Sequence, residues 1–248
     1  GIQADLKTFA ALGVYGMSAV TAVTAQNSVG VTAVHNISPE VIGKQIDAVL
    51  GDIGADAVKS GMIPTSEAIE AVASALERHN VRNYVLDPVM IAESGHRLIE
   101  ADAIETLKRR LIPLSLVVTP NVPEAEALTG IQVRNVQELK AAGESIHAMV
   151  ARYVLMKGWH MPDAEATDYL FDGNVWMEFA GERLVTKSTH GTGCTYAAAI
   201  AAHFAKGKHI QTAVADSKRY LTECMRRGFT FGKGAGQLNH AWPVQGSR

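Results

Sequence analysis

The sequence predicts an α/β fold in which a mostly parallel sheet is covered by helices on both faces. Two observations carry this. Helix-like and strand-like segments alternate along most of the chain, and Gln26, Met62, Asp87 and Asn121 all fall just past predicted strands, at the carboxyl ends where ligands gather in such sheets.

Bulk properties narrow the classes further. A chain of 248 residues with 47% hydrophobic composition can bury one large core, and no Pro/Gly/Ser linker divides it, so one domain over 1–248 is expected. The net charge of −2, with dispersed Lys and Arg, argues against a nucleic-acid binder. No apolar run approaches a membrane span and no signal peptide is visible. Cys194 and Cys224 suggest no disulfide framework, which makes a reduced cytoplasm the default expectation.

Taken in order, residues 2–12 have helical periodicity and stop at Gly13. Ser18 to Ala25, rich in Val, Thr and Ala, reads as a buried strand ending in Gln26-Asn27. Ser38-Pro39-Glu40 opens a helix to about Leu50, with a capping residue followed by proline at the first helical position. Ala57-Val58-Lys59 is a short strand with Gly61-Met62 at its carboxyl end. Helices follow over 65–79 and 101–111, and strands over 84–86 and 116–118, closed by Asp87-Pro88 and Thr119-Pro120-Asn121. A short helix over 123–128 and another over 136–150 lead to the strand Tyr153-Val154-Leu155-Met156, which ends in Lys157-Gly158. Residues 168–171 and 175–179 read as an edge hairpin around Asp172-Gly173, and 210–226 as a last amphipathic helix.

The stretch Lys187-Ser188-Thr189-His190-Gly191-Thr192-Gly193-Cys194-Thr195 runs straight into an Ala-rich helix with no breaker until Gly207. A helix N-terminus presents unpaired N–H groups and the positive end of the dipole, a ready anion site. Gly191 and Gly193 let the main chain approach such an anion, which Cys194 would face. Alone, a Gly-x-Gly of this length more often serves only a tight turn, and the spacing fits neither the dinucleotide fingerprint nor Walker A.

Context raises its weight. Gly1-Ile2-Gln3-Ala4-Asp5-Leu6-Lys7-Thr8-Phe9, Thr24-Ala25-Gln26-Asn27, Lys59-Ser60-Gly61-Met62, Asp87-Pro88-Val89-Met90, Thr119-Pro120-Asn121-x-x-Glu124-Ala125, Met156-Lys157-Gly158 and His190 to Thr195, in that order over essentially the whole chain, closely resemble hydroxymethylpyrimidine/phosphomethylpyrimidine kinase, the thiamine-pathway member of the ribokinase-like superfamily. The resemblance implies a three-layer α/β/α kinase. Such an enzyme uses ATP and magnesium to phosphorylate 4-amino-5-hydroxymethyl-2-methylpyrimidine to its monophosphate and then to the diphosphate. Family members are usually homodimers. They also carry a first strand and a Ser-Asp-Pro-Ser-Gly-Gly-type loop ahead of the stretch matching Gly1 to Asp5; loss of a central strand would be severely destabilising, so such a segment is expected, with part of the substrate site in it.

Carried over motif by motif, the resemblance implies a pyrimidine pocket of Asp5, Gln26, Met62 and Val89, with Gly191, Gly193 and Cys194 at the transfer site. Gln26 offers a donor and an acceptor to an aminopyrimidine edge, while Met62 and Val89 offer apolar contact. Outside the motifs, Met62 and Val89 would be read equally well as core, and Asp5 as a solvated acid. Lys157, Thr119, Thr186, Thr189, Thr192, Lys187 and Lys233 are the implied nucleotide-side residues, and Asp87 and Glu124 the implied magnesium residues, since this hard ion needs few carboxylates. Cys194 stands where many sugar kinases of the superfamily carry an aspartate base. Two rivals remain: pyridoxal/pyridoxine kinase, whose ring also bears a hydroxymethyl group, alone or as a dual-specificity enzyme, and a non-catalytic nucleotide-binding protein on the same fold.

Overall fold

In the computed structural model, which describes residues 1–91, 95, 98–158 and 166–244, two sheets and eight α-helices are present among the described residues. A six-stranded sheet has the sequential order β3 (Val58–Ser60), β4 (Tyr84–Leu86), β5 (Val117–Val118), β6 (Tyr153–Met156), β7 (Asp168–Phe171), β8 (Trp176–Phe179). β3 to β6 are parallel; β7 and β8 run antiparallel as a local hairpin that ends the sheet.

Strand alternation sorts the core. Tyr84, Leu86, Val118, Val154 and Met156 face one layer, formed by α2 (Pro39–Asp52), α3 (Ser66–Arg78), α4 (Ala103–Arg110), α5 (Val122–Thr129) and α6 (Val136–His147). Val85, Val117, Leu155 and Leu170 face the other, formed by α7 (Thr192–Ala205) and α8 (Ile210–Arg226), with Phe9 of α1 (Ile2–Ala11) packed against it. Every residue from Thr195 to Phe204 is buried, as befits a helix apolar on all sides. Its alanines let the sheet and neighbouring helices approach closely.

Local signals place the helix starts. Ser38 Oγ accepts from Val41 N and Thr65 Oγ1 from Ala68 N. Asn121 and Glu124 form a reciprocal capping box for α5, and Gly130 ends that helix in a left-handed conformation, with φ of 75°.

One expectation is corrected. The segment read as a buried strand over 18–25 is instead β1 (Ala22–Gln26), which pairs antiparallel with β2 (Val31–Asn36) in a separate two-stranded ribbon, with Val23 and Val34 exposed. Val, Thr and Ala give the same strand signal whether or not the faces are later covered. The ribbon is tied down at its base: Gln45 on α2 bonds both Val20 N and Val20 O, and Thr21 Oγ1 donates to Met62 O at 2.7 Å. Other boundaries differ from the sequence reading by a few residues at most, the largest being the end of α6 at His147.

At the turn after β6, the Gly158 N–H donates to Asp168 Oδ1 (2.9 Å), and Asp168 is in turn paired with Lys218 at 2.6 Å. A Cβ on Gly158 would lie 1.8 Å from the Thr167 carbonyl oxygen, so the backbones must separate to admit one. Gly158→Ala is therefore expected to destabilise the protein by about 1–3 kcal/mol, read as a lower urea midpoint at unchanged slope.

Candidate active site

Three side chains meet because three parallel strands share one alternation. Asp87, Thr119 and Lys157 each stand two residues beyond Val85, Val117 and Leu155, so all three project to the α7 side at the carboxyl edge of the sheet. Lys157 Nζ donates to Asp87 Oδ1 at 3.0 Å, Thr119 Oγ1 donates to the same oxygen at 3.2 Å, and Glu124 Oε2 lies 3.7 Å from Lys157 Nζ. The backbone holds this register past the strand ends: Asp87 N donates to Ser60 O, Thr119 N to Leu86 O, and Lys157 N to Pro120 O.

Above this group stands the start of α7. Gly191 is its N-cap with φ of 84°, in the left-handed region that favours glycine, and no side chain caps the helix. The first-turn N–H groups of Gly193 and Cys194 have no acceptor within the helix. A Cβ on Gly193 would sit 3.4 Å from Lys157 Nζ and 3.8 Å from Asp87 Oδ2. The glycine thus brings helix N–H groups, an ammonium and a carboxylate to one point. Asp87 Oδ2 itself is buried without a hydrogen-bond partner among the described residues.

Burial and charge oppose each other here. Burial works against ionised Asp87, but Lys157 and Lys59 outweigh it and keep the carboxyl below its ordinary range. For Glu124 burial wins despite Lys157, and its pKa is pushed up to about 7. Burial also opposes charge on Lys157, yet Asp87 and Glu124 hold it above the usual lysine value.

The group opens into a cleft of about 1590 Å³. Its wall includes Asp5, Gln26, Met62, Val89, Asp87, Glu124, Lys157, Thr189, Gly191, Thr192, Gly193 and Cys194, so most residues singled out in the sequence face one space. Gln26 arrives from the ribbon, past a bulge at Ala25/Gln26, rather than from a strand of the main sheet. Thr119 is buried behind Asp87, and Thr186 Oγ1 accepts from Ser188 N in a local turn. Lys187 and Lys233 are exposed and, with Thr186, lie outside the cleft wall. The loop bearing Lys233 instead packs on the turn of the ribbon, where Gly234 N donates to Ser28 Oγ at 3.3 Å.

Lys59 also lines the cleft, and the sequence, which shows it only within a motif, assigns it no role. Lys59, in the middle of β3, donates to both Asp5 oxygens at 3.0 Å. A lysine between Val58 and Ser60 gives little hint of this, because its partner lies 54 positions away.

The chain matches the phosphomethylpyrimidine kinase family over residues 1–239. It is 46% identical to the hydroxymethylpyrimidine/phosphomethylpyrimidine kinase of Bacillus subtilis, covering 97% of this chain and 89% of that one. It is 45% identical to a bifunctional thiamine biosynthesis protein of Geobacter sulfurreducens, of which it spans 49%. Among solved structures, phosphomethylpyrimidine kinase from Clostridium difficile superposes with a TM-score of 0.80 at 45% identity (90% of this chain, 92% of that one). The ADP complex of Bacillus subtilis pyridoxal kinase superposes at 0.90 with 34% identity (97% and 92%).

The raised Glu124 pKa fixes a pH dependence. Between the model-peptide value of 4.5 and about 7 the folded state holds a proton that the unfolded chain releases, so folding stability falls as pH rises through that window. Asp87 acts in the opposite sense, its contribution being lost only at pH below the ordinary aspartate range. Glu124→Gln is expected to flatten the decline between pH 5 and 7, an effect of up to about 3 kcal/mol, measured by urea unfolding across pH.

Proposed function

The chain belongs to the phosphomethylpyrimidine kinase family, and on that premise we propose that it transfers the γ-phosphate of ATP to 4-amino-5-hydroxymethyl-2-methylpyrimidine and then to the resulting monophosphate. The observation that carries this reading is the convergence of Asp87, Lys157 and Glu124 under the free N-terminus of α7, in one cleft with Gln26, Met62 and Val89. Phosphoryl transfer needs little covalent help from the protein; positioning and charge stabilisation supply most of the rate.

In this reading the Gly193 and Cys194 N–H groups receive the moving phosphoryl group, and Lys157 holds the triphosphate oxygens. Met62 and Val89 enclose the ring, Gln26 reads its polar edge, and Asp5 completes the pocket. Thr189 and Thr192 are the nucleotide-side hydroxyls of the cleft, while exposed Lys187 and Lys233 would have to act from outside it. Magnesium fits the residues present: the unpartnered Oδ2 of Asp87 faces the Gly193 backbone, Glu124 lies nearby, and a nucleotide-borne magnesium ion needs few protein carboxylates. When bound it would neutralise charge on the phosphates. A cytoplasmic homodimer is part of the reading, its second copy covering the exposed valines of the β1–β2 ribbon.

Pyridoxal kinase is the second reading, favoured by the high superposition with the ADP complex; identity is higher to the pyrimidine kinases. ATP consumption with the hydroxymethylpyrimidine and with pyridoxal, assayed side by side, decides between them. Turnover of pyridoxal alone overturns the pyrimidine reading.

Three variants, at two positions, test the roles at the transfer site. Gly193→Val inserts a branched side chain where a single Cβ already stands 3.4 Å from Lys157 Nζ, so turnover should fall by about two orders of magnitude or more in a folded protein. Full activity would place the transferred phosphate elsewhere.

Cys194 distinguishes the two steps. A sulfur base can take the proton of the neutral hydroxymethyl group, while an uncharged thiol does not repel an acceptor that is already a phosphate; a fixed carboxylate would, by on the order of several kcal/mol in a poorly solvated site. Cys194→Asp is expected to lose diphosphate formation disproportionately, and Cys194→Ala to slow the first step more than the second. Separate quantification of monophosphate and diphosphate reads both effects, and an undiminished second step in Cys194→Asp refutes the charge argument.

A further inference from the structure

We propose that Lys59 is a specificity-determining residue that holds the phosphate of an already phosphorylated acceptor, and that Gly61 is what allows its ammonium to reach that phosphate. The proposal rests on the pyrimidine-kinase reading above and adds to it the residue that separates the two acceptors.

The geometry begins with register. Lys59 pairs with Val85 across the parallel β3–β4 ladder, so its Cα lies one alternation short of the level of Asp87. Its side chain makes up the difference by running along the strand toward the carboxyl edge. The ammonium ends 2.9 Å from the point where a Cβ on Gly61 would stand. That point is itself 3.8 Å from Val89 Cγ2, part of the cleft wall that encloses the acceptor ring in this reading. Only a residue without a side chain at position 61 leaves this path open.

The ammonium is then fixed and yet incompletely used. Its side chain is only 2% exposed, and two of its three N–H bonds go to Asp5 Oδ1 and Oδ2 at 3.0 Å each. The third has no hydrogen-bond partner among the described residues, and the residue lines the same cleft as Cys194. Asp5 and Asp87 both act on it electrostatically, and Lys59 in turn acts on Asp87, which places the charge beside the transfer site.

Charge balance gives the ammonium its task. A neutral alcohol requires no extra cation, whereas a phosphate monoester brings a charge of about −1.5 to −2 at pH 7. Lys157 is already engaged by Asp87 and Glu124. Without Lys59 the acceptor phosphate would approach Asp5 and Asp87 while Lys157 serves Asp87, Glu124 and, in this reading, the triphosphate. A charge-assisted hydrogen bond from the third N–H corrects this for the phosphorylated acceptor alone.

The test compares both acceptors, the hydroxymethylpyrimidine and its monophosphate, in wild type, Lys59→Met and Gly61→Ala. The glycine variant keeps both charges and is too close only to the flexible end of a lysine, its distance to Val89 being an ordinary contact, so it is expected to fold while displacing the ammonium. This guards against Lys59→Met failing to fold around an unpaired Asp5. In both variants kcat/KM for the monophosphate is expected to fall at least about tenfold more than for the alcohol, mainly through KM, with matching weakening of monophosphate binding by calorimetry without ATP. Equal losses on the two acceptors, or loss on neither, overturn the role of Lys59 while leaving the pyrimidine-kinase reading intact. A wild-type protein that turns over neither acceptor overturns the parent reading, and this proposal with it.

Discussion

Burying Lys157 and Asp87 side by side removes two charges from water, and the rest of the site is arranged around making that tolerable. A buried pair of this kind repays its desolvation only when geometry is good and remaining polar atoms are satisfied; removing one partner then costs about 3–5 kcal/mol. Here Thr119 supplies a second hydrogen bond to the aspartate, and the sheet's hydrogen-bond ladder continues past the strand ends to fix both backbones. The incompletely satisfied atom is Asp87 Oδ2, and it lies beside Gly193. Stability is thus left unrealised at the point where a ligand would arrive.

Glu124 links this charge group to an ordinary helix start. One of its oxygens accepts from the Asn121 N–H in the capping box and also faces Lys157 at 3.7 Å. The motif Asn121-x-x-Glu124 is therefore satisfied as local structure before any ligand is considered. Its position directly after β5 gives the carboxylate a second environment, in which burial competes with the nearby ammonium. A single residue serves both the helix and the cleft because β5 ends at the sheet edge where the cleft lies.

Much of this was legible in the sequence, and the exceptions have a common cause. Strands at 84–86 and 153–156 and the helix at 210–226 announce themselves through local pattern, and the residues just past those strands fall on one edge because parallel topology demands it. The ribbon did not, since whether Val23 and Val34 are covered depends on elements far along the chain. The same applies to Lys59, whose meaning depends on Asp5 in another layer, and to Lys233, where a Gly-Lys-Gly pattern cannot show that its loop rests on Ser28. Local chemistry fixes what an element is; long-range packing decides what it faces.

The position of α7 over the sheet edge concentrates the cost of burying the Asp87 and Lys157 charges in one docking contact. Asp87 and Lys157 lie just past the ends of β4 and β6, well before residue 192, and until the helix docks they stand at an open sheet edge in water. Strand pairing can therefore proceed without charge burial, and the electrostatic cost falls on the docking of α7, the helix that α1 and α8 flank. The helix interior, buried on every side from Thr195 to Phe204, makes that docking favourable. Its first turn, roofing the charges without a side-chain cap, contributes least. Native-state openings of low free energy should accordingly begin at that turn, so that the segment closing over the reactants is also the one the fold releases most readily.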